Sequence, residues 1–573
     1  MCEGWICSAS ALPCIVAVMR AADRERILTD VVSRVVEQTV DGAGARLDEV
    51  VADSVYHELR RLKGEHGDEA DFWNELKHGV GAASQRELIS ITRRIAHRYG
   101  DEIAGRFDER VYDAVTRAGE PAIGLLLNAF SPRRLLAALP KAIGAGASSL
   151  SAQALLPKVE DSIVVQGHVD ALKKLRKRGT VLLVPTHVSH MDSIAVGWAL
   201  WKMGLPPFLY GAGLNLFSNP MLGFFMRNLG AYTVDRRKTD PLYKNVLKEY
   251  AQLTLENGYD NIFFPGGTRS RAGALETKLK LGLLGTGVSA YGRNLRAGKS
   301  ECERFFVVPA TLSFQLVLEA ETLIDDFLQE VGKSRYIITD DEAARPRRIV
   351  DFFTQLFSLD SKIYFTVGQP LDPFGNVVDD DGNSFDHSGR EIDPSRYLMR
   401  NGAVVDDPQR DAEFTREVGE RVVETYAKDT VVQTTHLVAQ AALLLLRKKN
   451  PHTDLIRLLR AGGRVDDVSL AELYAEIDRL LLELRSCSAR GEVRLAPHVL
   501  GGSADDVVAE SLKHFASYHT KAALTRRGDR VFATDRGLLF YYANRLDGYG
   551  LGRAHGLKAA LTADHRSIAG RAS

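Results

Sequence analysis

Residues 180–193 read TVLLVPTHVSHMDS. The apolar, β-branched opening has the length and composition of a buried strand, and His187, His190 and Asp192 follow where it ends. Taken alone, the string reads as a polar loop opening a helix, with Asp192 or Ser193 as N-cap. The neighbouring sequence favours more than that. From about 160 to 370, short apolar runs alternate with helical stretches: VLLVP (181–185), PFLYG (207–211), AYTVD (231–235), NIFFP (261–265), FFVVPATLSF (305–314) and KIYFTVG (362–368). That alternation predicts an α/β fold with a mainly parallel sheet flanked by helices, whose ligands gather at the carboxyl ends of strands. Three polar strings fall at such ends: His187–Asp192, DRRK (235–238) and GGTRSR (266–271).

Outward from this α/β region, assigned to 156–400, both flanks read as helical. In 19–155, Ile27, Val31, Val35 and Val36, then Leu47, Val51, Val55 and Leu59, recur at three- and four-residue spacings. The region 401–573 contains SLAELYAEIDRLLLELRS, read as an internal packing stripe, and HLVAQAALLLL (436–446), too short to span a bilayer and suited to a buried helix. The stretch 121–146 mixes apolar blocks with Arg133, Arg134 and Lys141, which suits either packing on its own domain or an anionic interface. Residues 1–18 lack the basic start of a secretory signal and read as an extension before Met19. No repeat shorter than fifty residues is evident.

Composition excludes some partners. Lys plus Arg and Asp plus Glu number 74 each, so no global positive field invites nucleic acid, and any anion site must be local. The five cysteines show neither a disulfide framework nor zinc spacing.

The chemistry is local too. An imidazole whose second nitrogen is held by a carboxylate can accept a proton from a substrate hydroxyl, and His187 and Asp192 are close enough across a strand-to-helix turn to meet. Gly266 and Gly267 permit close backbone approach beside Arg269 and Arg271, whose planar forks suit a phosphate. Arg236, Arg237 and Lys238 offer a second wall. The acidic string DDDGNSFDHS (379–388) fails as a calcium loop, because Val377 and Ser388 stand where its first and last ligands belong. GLLGTG (282–287) lacks the third glycine of a dinucleotide loop. A metal at His187, His190 and Asp192 finds no further ligand motif, and His190 reads as a helix-start residue.

PTHVSHMD, GAYTVDRR, FFPGGTRSRAG and VVPATLSF, in this order, resemble the four sequence blocks of glycerolipid acyltransferases. GAGLNLF (211–217), the acidic loop 368–393 and LLFYYANRLDGYGL (538–551) are similar to the glycerol-3-phosphate (sn-1) branch, over roughly 155–555. The resemblance implies a general base at His187 oriented by Asp192, and phosphate binding by Arg236, Arg269 and Arg271. Ser189, Gly267, Thr268 and Pro309 would support them. The implied donor is an acyl-CoA or acyl carrier protein thioester, the acceptor is glycerol 3-phosphate or a related alcohol, and neither metal nor organic cofactor is required. The implied location is peripheral, on the cytoplasmic face of the cell membrane. One departure stands out. Gly266 replaces the glutamate these enzymes usually carry in a Phe-Pro-Glu-Gly-Thr-Arg-Ser string, which leaves open a lipid-binding protein without turnover.

Overall fold

The computed structural model describes residues 18–64, 66–81, 83–112, 163–217, 220–299, 304–331 and 361–551. At its centre lies a seven-stranded sheet in the order β1-β7-β6-β2-β5-β3-β4. The strands are β1 (Ile163–Gly167), β2 (Thr180–Pro185), β3 (Leu209–Gly213), β4 (Ala231–Val234), β5 (Asn261–Ile262), β6 (Phe305–Phe314) and β7 (Ile363–Val367). Each of the six apolar runs named above contributes a strand. β1 was not anticipated. It pairs parallel to β7, while β7 runs antiparallel to β6; every other neighbouring pair is parallel. β2 and β6 are buried along their whole lengths, as expected of strands covered on both faces.

The helices Ala21–Ala43, Leu47–Arg61, Asp68–Val80 and Gln85–Ile103 pack on the β3–β4 edge and on the helix Pro241–Glu256, sharing one core with Leu209, Tyr232, Val246 and Tyr250. The last of the four opens with a capping box between Ser84 and Glu87 and buries Leu88, Ile91, Ile95, Tyr99 and Ile103, the three-and-four stripe of an amphipathic helix. An ionic knot joins these helices to the sheet. The buried Lys238 ammonium lies 2.6 Å from Glu102 and 3.3 Å from Glu58, with the Tyr99 ring centroid at 4.8 Å.

Beyond β7, the helix Thr434–Lys449 is buried from Thr434 to Leu446 and belongs to the same core as β6 and β7. The helix Leu470–Ala489 turns Leu473, Ile477, Leu480 and Leu484 inward. Among the described residues no helix is long and apolar enough to cross a membrane. The stretch 121–146 lies outside the described residues.

The acidic loop corrects the expectation that short repeats are absent. Asp372, Asp379 and Asp386, seven residues apart, each accept two backbone amides: from Phe374 and Asn376, Asp381 and Asn383, and Ser388 and Arg390. Gly375, Gly382 and Gly389 follow at φ of 88°, 83° and 77°. The result is three tandem turns, the latter two joining a small antiparallel meander; each aspartate spends Oδ1 on loop amides and Oδ2 on the side chain four residues on, Asn376, Asn383 or Arg390.

Candidate active site

β2 lies between β6 and β5, so its carboxyl end opens at the middle of the sheet. Val184 stands opposite Pro309, and the Thr186 amide extends the ladder to the Ala310 carbonyl at 3.0 Å before the chain turns away. Pro309 has no amide hydrogen to give, and its carbonyl accepts from Gly368 at 2.8 Å. His187 follows, its ring stacked on Phe264 with centroids 4.6 Å apart.

His187 Nδ1 lies 2.8 Å from Asp192 Oδ2. The same oxygen accepts the Val188 and Ser189 amides at 2.6 and 3.0 Å. Asp192 is the first residue of the helix Asp192–Lys202 and its side chain is wholly buried. The N-cap expected at Asp192 or Ser193 is instead Met191, because the carboxylate turns back over the loop to hold the imidazole. Burial pushes the Asp192 carboxyl up, while the His187 contact and the two amides oppose that shift. With Nδ1–H given to Asp192, Nε2 is the nitrogen left to accept a proton.

A further carboxylate braces the loop. Glu319, fully buried just beyond β6, accepts the Ser189 hydroxyl at 2.8 Å and the His190 amide at 2.9 Å, with Arg269 Nη1 3.6 Å from the same Oε1. Ser189 is therefore structural to the loop. The available sequence signal was an acid inside the apolar run following FFVVPATLSF.

The GGTRSR loop meets the His187 loop directly, since the Ser270 amide donates to the His187 carbonyl at 3.0 Å. Gly267 adopts φ of 74° at the turn closed by its amide on the Phe264 carbonyl. Thr268 is exposed beside it. Arg236 is exposed on the loop after β4, with Arg269 as an electrostatic neighbour of like charge.

The remaining cations go elsewhere. Arg271 lies on the surface, 2.7 Å from Glu330. Arg237 pairs with Asp235 at 2.8 Å, and Lys238 is sealed in the ionic knot.

Two parts of the site come from far along the chain. The His187 amide donates to Glu276 at 2.6 Å. From the C-terminal region, Asn544 Nδ2 donates to the Ala272 carbonyl at 2.9 Å, and a side chain at Gly273, whose φ is 77°, would overlap the Tyr541 carbonyl. The buried Tyr541 has Arg545, Glu319, Arg269 and Asp192 as electrostatic neighbours.

Residues 166–312, which hold β2, both arginine strings and most of β6, match the sequence model of the family named Acyltransferase. That stretch of the chain is similar to the acyltransferase domains this model describes. The chain is 30% identical over 253 residues to a glycerol-3-phosphate acyltransferase of Aeromonas hydrophila, covering 44% of this chain and 26% of that protein. A Pseudomonas fluorescens protein of the same name is 27% identical over 318 residues, 55% of this chain and 34% of its own length. The chain thus spans about a quarter to a third of these relatives. The solved 1-acyl-sn-glycerophosphate acyltransferase of Thermotoga maritima matches at TM-score 0.23 and 16% identity, over 46% of this chain and 71% of that one. The matched stretch contains His187, Asp192, Arg236, Arg269 and Pro309, whereas Tyr541, Asn544 and Arg545 lie outside it.

Proposed function

We propose that this protein is an acyltransferase moving a fatty acyl group from a thioester to the sn-1 hydroxyl of glycerol 3-phosphate. The observation that carries the reading is the buried Asp192 holding His187 at 2.8 Å, at the end of a central strand and beside the Arg236–Arg269 pair. Nε2 of His187 takes the acceptor's hydroxyl proton as that oxygen attacks the thioester carbonyl. The C–O bond forms, the C–S bond breaks as the tetrahedral adduct collapses, and the imidazolium returns its proton to the leaving thiolate. The acceptor's phosphate is held by the two guanidiniums, outside the bond-making centre.

The glycerol-3-phosphate acyltransferase names of the relatives support this acceptor. Incubation with acyl-CoA and acyl carrier protein thioesters, each against glycerol 3-phosphate, dihydroxyacetone phosphate and 1-acylglycerol 3-phosphate, tests it. The expected result is thiol release dependent on glycerol 3-phosphate. Preference for either other acceptor replaces the reading, and lipid binding without thiol release makes the protein a non-catalytic binder.

Attachment to a membrane surface belongs to the same proposal, because the product is an amphiphile. Release from membranes by high salt or alkaline carbonate is expected for interfacial attachment; extraction by detergent alone refutes it.

A further inference from the structure

Gly266 opens the arginine-bearing loop without a side chain, although its φ lies outside the left-handed region, so the backbone does not demand glycine. The demand comes from Glu276. A Cβ built on Gly266 would stand 2.6 Å from the carboxyl carbon and Oε2 of Glu276, and 2.9 Å from Oε1. The carboxyl from ten residues along the chain fills the volume that a side chain at 266 would take. The loop's own bonds bring it there: the Lys280 amide donates to the Pro265 carbonyl at 2.6 Å and the Ser270 hydroxyl to the Ala274 carbonyl at 2.7 Å.

From that position Glu276 acts on the reacting loop. Oε1 accepts the amide of His187 itself at 2.6 Å, and Oε2 has no hydrogen-bond partner among the described residues. The Asp192 charge and Arg545 are its electrostatic neighbours.

Resting on the acyltransferase reading above, we propose that Glu276 is the positioning carboxylate of this site. It occupies the space Gly266 leaves and, through the His187 amide, sets where the imidazole stands. Gly266 and Glu276 are a reciprocal pair, because the Glu276 carboxyl takes the volume that a side chain at 266 would need. Burial favours the protonated form of Glu276, so it adds no second full negative charge beside Asp192.

The test is a cycle of Gly266→Glu, Glu276→Ala and their combination in the full chain, with Glu276→Gln as the conservative variant. Glu276→Ala is expected to lower kcat about 10- to 100-fold, as a displaced catalytic group does, with acceptor KM near wild type. Gly266→Glu alone is expected to fall similarly through collision with Glu276. The double variant should recover most of the loss, and Glu276→Gln should retain turnover because its amide oxygen still accepts from His187. Amide hydrogen exchange over 186–192 reads the same coupling without turnover. It should quicken in Glu276→Ala and return in the double variant. A double variant as impaired as the two singles combined, or unchanged exchange in Glu276→Ala, overturns the proposal. Absence of thiol release by wild type with every acceptor refutes the acyltransferase reading, and the exchange cycle then still decides whether Glu276 positions the loop.

Discussion

Ser189 donates its hydroxyl to Glu319 across 2.8 Å, tying the His187 loop to the segment that leaves β6. Because Arg269 approaches the same carboxylate at 3.6 Å, one buried acid braces both the His187 loop and the arginine proposed to hold the acceptor's phosphate. Glu319→Ala would remove the acceptor of the Ser189 hydroxyl and the His190 amide and the carboxylate beside Arg269, at a position that is fully buried. Breaking a buried pair in this way costs about 3–5 kcal/mol, so a clear drop in melting temperature and loss of turnover are expected. A variant that melts and turns over like wild type would show that the brace is dispensable.

His187→Ala is expected to reduce turnover by ~10²–10⁴-fold, the usual worth of a general base, with the fold retained because Asp192 Oδ2 still accepts the Val188 and Ser189 amides. Asp192→Asn should also impair turnover, since an amide can present its nitrogen to Nδ1 and disfavour the required tautomer. It should destabilise as well, because Oδ2 anchors two loop amides. Turnover of His187→Ala near the wild-type rate would remove His187 from the mechanism.

The arginines, equivalent in the sequence, are not equivalent in the fold. Replacing Arg269 or Arg236 by Ala should remove roughly 1.5–3 kcal/mol of charge-assisted binding, seen as a rise in acceptor KM of about tenfold or more, with donor KM steady. Lys at 269 should rescue poorly, lacking the planar fork. Arg271→Ala should change acceptor KM less than twofold, the effect expected of a surface pair with Glu330. Titrations of acceptor and donor on the three variants check this; an effect confined to donor KM would misplace the phosphate site.

Burial pushes the Glu276 carboxyl from its ordinary 4.5 up to about 8, assisted by the Asp192 charge and opposed by the His187 amide and Arg545. Between these values the folded protein holds a proton that the unfolded chain releases. Its stabilising contribution is therefore complete below about 4.5 and declines as pH rises through about 8. Glu276→Gln cannot titrate, so its melting temperature should fall less than that of wild type between pH 5 and 8.5. Parallel melting curves for the two proteins across that range would contradict the shift.

Much of this architecture is written locally. The run TVLLVP carries its own burial, and six apolar runs located six strands because β-branched residues between helical stretches have few other stable states. The pairing of His187 with Asp192 was legible for the same reason: five residues across a strand-to-helix turn leave little freedom. β1 escaped because IVVQG is short and adjoins a helix of similar apolar content, and the reversed direction of β7 is a property of its connection rather than its residues.

The sequence by itself determined six of the seven strands of the central sheet, the His187–Asp192 pair and the presence of cations near it. Only tertiary structure decided where these cations lie, sending Arg271 to Glu330 and Lys238 to Glu58 and Glu102 and making Arg269 an electrostatic neighbour of Arg236. It alone brought Glu319 and Glu276 to the loop from 130 and 89 residues away. Periodicity records whether a residue is buried, but a charged side chain's partner depends on which distant segments the sheet order and loop closures bring within a few ångströms. Electrostatic attraction acts over that distance and leaves no local pattern in the chain.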